Sequence, residues 1–376
     1  MVAFLAVVFF EQEGSKMKVV MLGADRSVKG GVSAMVNNLY EAGISQKVNL
    51  VYIGTMVDGS SIGKLFKAGE ALLKFLTVLP GADIVHLNMA ADASCFRKLI
   101  FLNIASAFRK KIVVHHHGGD FEGFYEERCS AKMREKVRRS LNKADLFLVL
   151  SENWKLFFEN IVSPDKIFVL ENCVPIPEKA KQDYSGHQAV FLGRLCKEKG
   201  IEELLESAKR VRKAVPDFEL VLGGFWEKGN EELEAKAREL SDFVRCPGWV
   251  SAKERERLFA QSSVFVLPTW FEGQPVSLLE AMAAGMCTVS SAVGGIPQVL
   301  GEAENETLPC GFDGCGVMTG AKDSEMLSDV LIRVLTDEEL RESIGKKARQ
   351  RAEEKYGMPG YIKRLTGFYD ELMKEG

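Results

Sequence analysis

From Met17 onward, short apolar runs bounded by turn residues alternate with longer stretches in which apolar positions recur every three or four residues. The short runs read as buried strands and the longer stretches as amphipathic helices. Regular alternation of the two marks parallel sheets with crossover helices, so the expected fold class is α/β. In the front half the expected strands are 18–22, 48–53, 84–87, 111–116, 146–150 and 167–170. Around 175–186 the pattern lapses into Pro-Ile-Pro and polar residues, which reads as a linker. It then resumes with strands expected at 188–192, 219–223, 244–246, 264–267 and 287–290. Two doubly wound sheets in succession, over 17–178 and 187–356, place the expected ligand site in the cleft beyond their strand carboxyl ends.

The first ten residues, MVAFLAVVFF, are apolar but lack a basic leader and a small-residue cleavage site, and are too short to span a bilayer. Met17 opens MKVVMLG, a good first strand, so Met17 is the expected native start and 1–16 a non-native or disordered extension.

A length of 376 residues with 46% hydrophobic content is enough for two cores. A net charge of −3 gives no general reason to expect nucleic acid. Residues 1–180 hold 23 Lys+Arg against 19 Asp+Glu, so the front half is basic and the remainder acidic. Lys98, Arg109, Lys110 and Lys111 flank one apolar helix, and Lys132, Arg134, Lys136, Arg138, Arg139 and Lys143 crowd another. Such runs are either solvated faces or a contact for an anionic membrane surface. Eight cysteines without a CxxC pair fit a reduced, cytoplasmic chain; Cys310 and Cys315 lie closest, with no histidine nearby to complete a zinc site.

Candidate chemistry concentrates in VFVLPTWFEGQPVSLLEAMAAGMCTVSSAVGGIPQVL, 264–300. A strand ends at Pro268, a loop carries Glu272, Gly273 and Gln274, and Pro275 suits the first turn of a helix over 276–284. A helix start offers unpaired N–H groups and a positive dipole end, which favour a diphosphate. Apolar and small neighbours surround Glu280, so an acid there calls for a partner. In AVFLGRLCKEKGIEELLESAKRV, 189–211, Arg194 and Lys199 occupy the turn between strand and helix, where cations can neutralise a diphosphate leaving group without metal. The three histidines of KKIVVHHHGGDFEGFYEE, 110–127, suggest a metal, but on a strand His115 and His117 point one way and His116 the other. No Asp-x-Asp sequence is present to hold a divalent ion under a nucleotide sugar.

The spacing of Glu272 and Glu280 in EGQPVSLLEAMAAG, followed by GGIPQVL, resembles the E-x7-E motif of the retaining glycosyltransferases of family 4. The Arg194–Lys199 turn resembles that family's G-R-x-x-x-x-K-G pattern. His117-Gly118 with Asp120 and Phe121 resembles its acceptor-side H-G-x-[DE]-F element, and Gly30-Gly31-Val32 its front glycine-rich loop. HLNMA from His86, LSENW from Ser151, LENCVP from Leu170 and VRCPGWVS, 244–251, also match its flavour; the last lies near the expected base.

The resemblance covers about 17–355 and implies a GT-B enzyme, two Rossmann-like domains facing a central cleft, with the helix within 357–376 crossing back to the first domain. It implies a metal-independent hexosyl transfer from a nucleotide diphosphate sugar to a glycan or lipid-linked acceptor, with no cofactor. Glu272 would contact the donor sugar, Glu280 the ribose, and Arg194 and Lys199 the diphosphate. Gly30, Gly31 and the backbone over Gly273, Gln274, Pro275 and Val276 would face the donor; His117, Gly118 and Asp120 would lie on the acceptor side. Bacterial surface polysaccharide assembly, at the inner face of the cell membrane, is the expected setting. The alternatives are a GT-B sugar-nucleotide epimerase and an inactive sugar-binding or scaffold homologue.

Overall fold

The computed structural model describes residues 16–179, 182–301 and 311–374; the expected extension before residue 16 and Cys310 fall outside this set. Twelve strands form among the described residues. The first six are β1 (Lys18–Gly23), β2 (Asn49–Gly54), β3 (Ile84–Met89), β4 (Lys111–His116), β5 (Leu146–Val149) and β6 (Ile167–Val169). The second six are β7 (Gln188–Leu192), β8 (Glu219–Gly223), β9 (Val244–Gly248), β10 (Val264–Leu267), β11 (Cys287–Ser291) and β12 (Val317–Thr319). Eleven lie where the apolar runs put them; β12 is too short to give a pattern.

All pairings are parallel, in the orders β2-β1-β3-β4-β5-β6 and β12-β11-β10-β7-β8-β9. Helices cover both faces of each sheet, which is why β3, β5, β10 and β11 are buried throughout. In each order an early strand is flanked on both sides by later ones: β1 by β2 and β3, and β7 by β8 and β10. Loops after β1 and β3, and after β7 and β10, therefore diverge and leave a crevice at the carboxyl edge.

One large apolar cluster fills the second domain. The first sheet has a cluster on each face. One of these is completed by the final helix, Met358–Lys374, through Tyr361, Leu365 and Tyr369 against Val19, Met21 and Leu148. The linker and the segment before that helix run side by side, with Val174 N donating to Tyr356 O at 2.9 Å.

Lys98 departs from its expected surface role. It is 2% exposed in helix Asp92–Ala107, and its Nζ donates to Thr55 Oγ1 at 2.7 Å. Burial, reinforced by Arg97, pushes its ammonium down to about 7. Its surroundings make it an internal link rather than part of a basic surface. Of the seven described cysteines, Cys95, Cys129, Cys173, Cys196 and Cys287 are buried among apolar side chains, and none forms a disulfide.

Candidate active site

A cleft of about 660 Å³ opens where the two switch-point crevices face each other, within the range of small-molecule sites. Two helices begin at its walls. Helix Gly31–Glu41 starts after Gly30, and helix Val276–Ala284 starts after Pro275, which stands just before the first helical residue rather than within it. Neither start has a side-chain cap, so backbone N–H groups and both positive dipole ends remain available. A Cβ placed on Gly31 would lie 3.8 Å from Val276 Cγ2, so the two starts nearly touch across the cleft.

The turn after β7 is locked to the loop after β10. Gly200 has φ +71, and a Cβ there would overlap Pro268 O; Trp270 N donates to Glu198 O at 2.9 Å. This places Lys199 against Glu272 in an ion pair, with the side chains only 15% and 22% exposed. A second close packing holds the Glu272 loop from behind. Gly294 has φ +56 with no room for a Cβ beside Glu272 O, and Gly295 N donates to that oxygen at 3.2 Å.

Glu280, 11% exposed, finds its partner in Arg255 of helix Ala252–Gln261 at 2.8 Å. Burial raises its carboxyl group above the usual range, and Arg255 opposes that rise. Arg194 bonds Glu227 at 2.7 Å at the half-exposed mouth. Arg194, Lys199, Arg255, Glu272 and Glu280 all line the one cleft.

On the front wall, His117 faces the cleft. Its Nε2–H donates to Asn88 Oδ1 at 2.7 Å, an amide oriented because its Nδ2 donates to Leu22 O at 3.2 Å. Nδ1 is thereby left as the acceptor. His117 lies against His115 with ring centres 4.1 Å apart, whereas His116 turns to the opposite face among Phe121, Trp154 and Phe158. Burial and the Lys98 charge lower His117 to about 3, so it is neutral near pH 7. Among the described residues no group of three or more His, Cys, Asp and Glu side chains is arranged to hold a metal ion.

The domains meet beside this wall. Gly118 (φ +80) and Gly273 approach so closely that a Cβ on Gly273 would lie 3.1 Å from Gly118 Cα. Gln274 joins the first domain through its side-chain oxygen, which accepts from Asn172 N, and its carbonyl, which accepts from Asn172 Nδ2 at 2.9 Å. Asn172 Oδ1 is buried and unpartnered in the cleft lining, an acceptor open to a ligand hydroxyl. Asp120 stands apart from the lining; it caps Gly123 N and pairs with Arg128 at 2.7 Å. Asn88, Asn172 and Arg255 carry no role in the sequence reading, although HLNMA and LENCVP contain two of them.

This is the GT-B architecture. Residues 176–351, within the second domain, match the family described as glycosyl transferases group 1. Spore coat protein SA of Bacillus subtilis is 30% identical over 190 residues, 48% of each chain. The GDP-mannose:cellobiosyl-diphosphopolyprenol alpha-mannosyltransferase of Xanthomonas oryzae pv. oryzae is 28% identical over 225 residues, 58% of each. The chain thus spans about half the length of the relatives it matches in sequence. Sucrose-phosphate synthase from Thermosynechococcus elongatus superimposes with a TM-score of 0.77 at 16% identity, over 96% of this chain and 100% of that one. HepE from Anabaena, in complex with UDP-glucose, gives 0.71 at 16%, over 94% and 100%.

Proposed function

We propose that the protein transfers a hexose from a nucleotide diphosphate sugar, with retention and without metal, to a glycan or lipid-linked acceptor in bacterial surface polysaccharide assembly. The observation that carries this reading is the convergence of Lys199, Arg194, Glu272 and Glu280 on one helix start, opposite His117 and a second uncapped helix start. When the bond from the anomeric carbon to the diphosphate breaks, negative charge grows on the departing oxygen. Lys199, Arg194 and the two dipole ends supply the opposing charge, with phosphate replacing Glu227 as a partner of Arg194. Glu272, held in the loop, serves the sugar; Glu280, held in the helix by Arg255, accepts from ribose hydroxyls. Gly118 and Asp120 are assigned to the acceptor side with His117. The Xanthomonas relative's name specifies a GDP-mannose donor and a diphosphopolyprenol acceptor, and HepE holds UDP-glucose, which supports a nucleotide sugar and a lipid-linked acceptor here. No described helix is long and apolar enough to cross a membrane. Peripheral attachment of the first domain to an anionic inner leaflet is supported by exposed Lys132, Lys136, Arg138 and Arg139.

The test is nucleotide release from a panel of UDP-, GDP- and ADP-sugars, combined with binding of the matching diphosphate. Glu272→Ala should lower kcat at least 100-fold with nucleotide affinity retained, and Glu280→Gln should weaken nucleotide binding about tenfold. The reverse order would exchange the two roles, and no turnover or diphosphate binding with any donor would reject the reading.

A further inference from the structure

Helix Ser61–Val78 connects β2 to β3 and carries large apolar side chains on the side where a surface helix should be polar. Ile62, Leu65, Phe66, Leu73 and Leu76 are 71%, 75%, 78%, 69% and 41% exposed. At ~100° per residue these five fall within about 60° either side of one line along the helix. Ala71 and Phe75, on the opposite side, enter the core. Gly69 lies within the exposed stripe with no atom near its missing Cβ, so the stripe is open along its length.

The surroundings indicate what covers it. Ala71 and Phe75 share their apolar cluster with Leu99 and Leu102 of helix Asp92–Ala107 and with Val137 of helix Ala131–Leu141. The three helices therefore lie on one face of the first sheet. Beyond the stripe that face offers Ile100, 55% exposed, and the exposed bases Lys132, Lys136, Arg138 and Arg139; Lys64 and Lys74 are exposed on the stripe helix itself. Apolar side chains bordered by cations suit the boundary of an anionic bilayer, where the former enter the acyl region and the latter meet lipid phosphates. A protein partner would need matching acids, and a second copy would bring these bases against each other.

The stripe is also well placed for the reaction. Ser60 caps the helix at the carboxyl edge of β2, so Ile62, Leu65 and Phe66 lie at its cleft end. Asp58 Oδ2 accepts from Lys29 N at 3.5 Å, tying the turn before the helix to the glycine loop that lines the cleft. We infer that helix Ser61–Val78 is the element that docks the first domain onto an anionic bilayer, inserting Ile62, Leu65, Phe66, Leu73 and Leu76 and presenting the cleft to acceptors held in that bilayer. This rests on the lipid-linked acceptor reading above and names the surface that serves it.

The experiment is co-sedimentation of the full chain with vesicles of phosphatidylglycerol and phosphatidylcholine in equal parts, and with phosphatidylcholine alone. The wild type should sediment with the mixed vesicles and release in high salt. The double variant Leu65→Ser, Phe66→Ser, whose side chains face away from the core, should keep its melting behaviour and bind at least about tenfold more weakly. Phe312→Ser, in the second domain, should bind like the wild type. Sedimentation unchanged in the double variant would overturn the inference, as would a solution dimer that the double variant dissolves without any vesicle binding. Release of nucleotide from the donor panel, run on the same preparations without vesicles, separates the two readings: turnover with no vesicle binding removes the docking surface and leaves the transferase standing.

Discussion

His117 shows how one residue's protonation is settled by its surroundings. Its Nε2–H is committed to Asn88, and burial with the Lys98 charge nearby lowers its pKa to about 3. A free imidazole changes charge near 6.5 and would impose that midpoint on catalysis. Here the folded-state value lies far below, so the neutral ring persists across the usual assay range. The pH profile of kcat/KM from about pH 5 to about 8 should therefore show no limb owed to His117. His117→Gln should lower kcat without changing the profile's shape, and a limb near 6.5 that disappears in the variant would refute the neutral ring. The same pKa makes folding sensitive to acid: the native state binds this proton only below about 3, so this group's contribution to stability falls as pH drops below about 6.5.

At the scale of elements, the site depends on glycines that let loops approach. Gly273 does not require a left-handed backbone, so Gly273→Ala tests proximity alone: the new Cβ would meet Gly118 Cα at 3.1 Å and Trp154 Nε1 at 3.3 Å. Its melting temperature should stay near wild type while kcat falls tenfold or more, because the wall carrying His117 is pushed away from the Glu272 loop. Gly118→Ala should lower both kcat and the melting temperature, since its φ of +80 adds about 1–2 kcal/mol of backbone cost. Thermal melts and steady-state kinetics on the two variants separate strain from misplacement, and wild-type kcat in Gly273→Ala would show that the approach is not needed.

Elements of this kind were partly legible in the chain. Buried parallel strands leave continuous apolar runs, so β4, β7, β8 and β10 could be bounded to the residue, and the EGQP turn announced its helix. Arg255 could not be found this way: in KERERLF it looks like any solvated base, and only the fold brings it to Glu280. Lys98 failed for the converse reason, since a lysine in an apolar helix reads as a charge at the surface until its partner Thr55 is seen. The Ile62 to Leu76 stripe has the periodicity of a core helix, and periodicity alone does not say which side is covered.

For the molecule as a whole, the order of the chain and the order of the cores differ. The last helix follows the second domain in sequence but packs into the first sheet's core, and the chain crosses between domains twice, at Val174 and Gly357. No single cut therefore yields both domains complete. Leu365 is fully buried in that borrowed core. Leu365→Ala should cost about 2–5 kcal/mol of stability, by loss of transfer energy and the cavity left behind. The damage should fall on the first domain. Urea unfolding followed by the fluorescence of Trp154 should shift to lower urea more than the signals of Trp226, Trp249 and Trp270, read in single-tryptophan backgrounds. Affinity for the nucleoside diphosphate selected by the donor panel should stay within about twofold, because Leu365 shares no partner with the Lys199 and Glu280 pairs. An equal shift at all four tryptophans would mean that the crossing segments weld the domains into one cooperative unit.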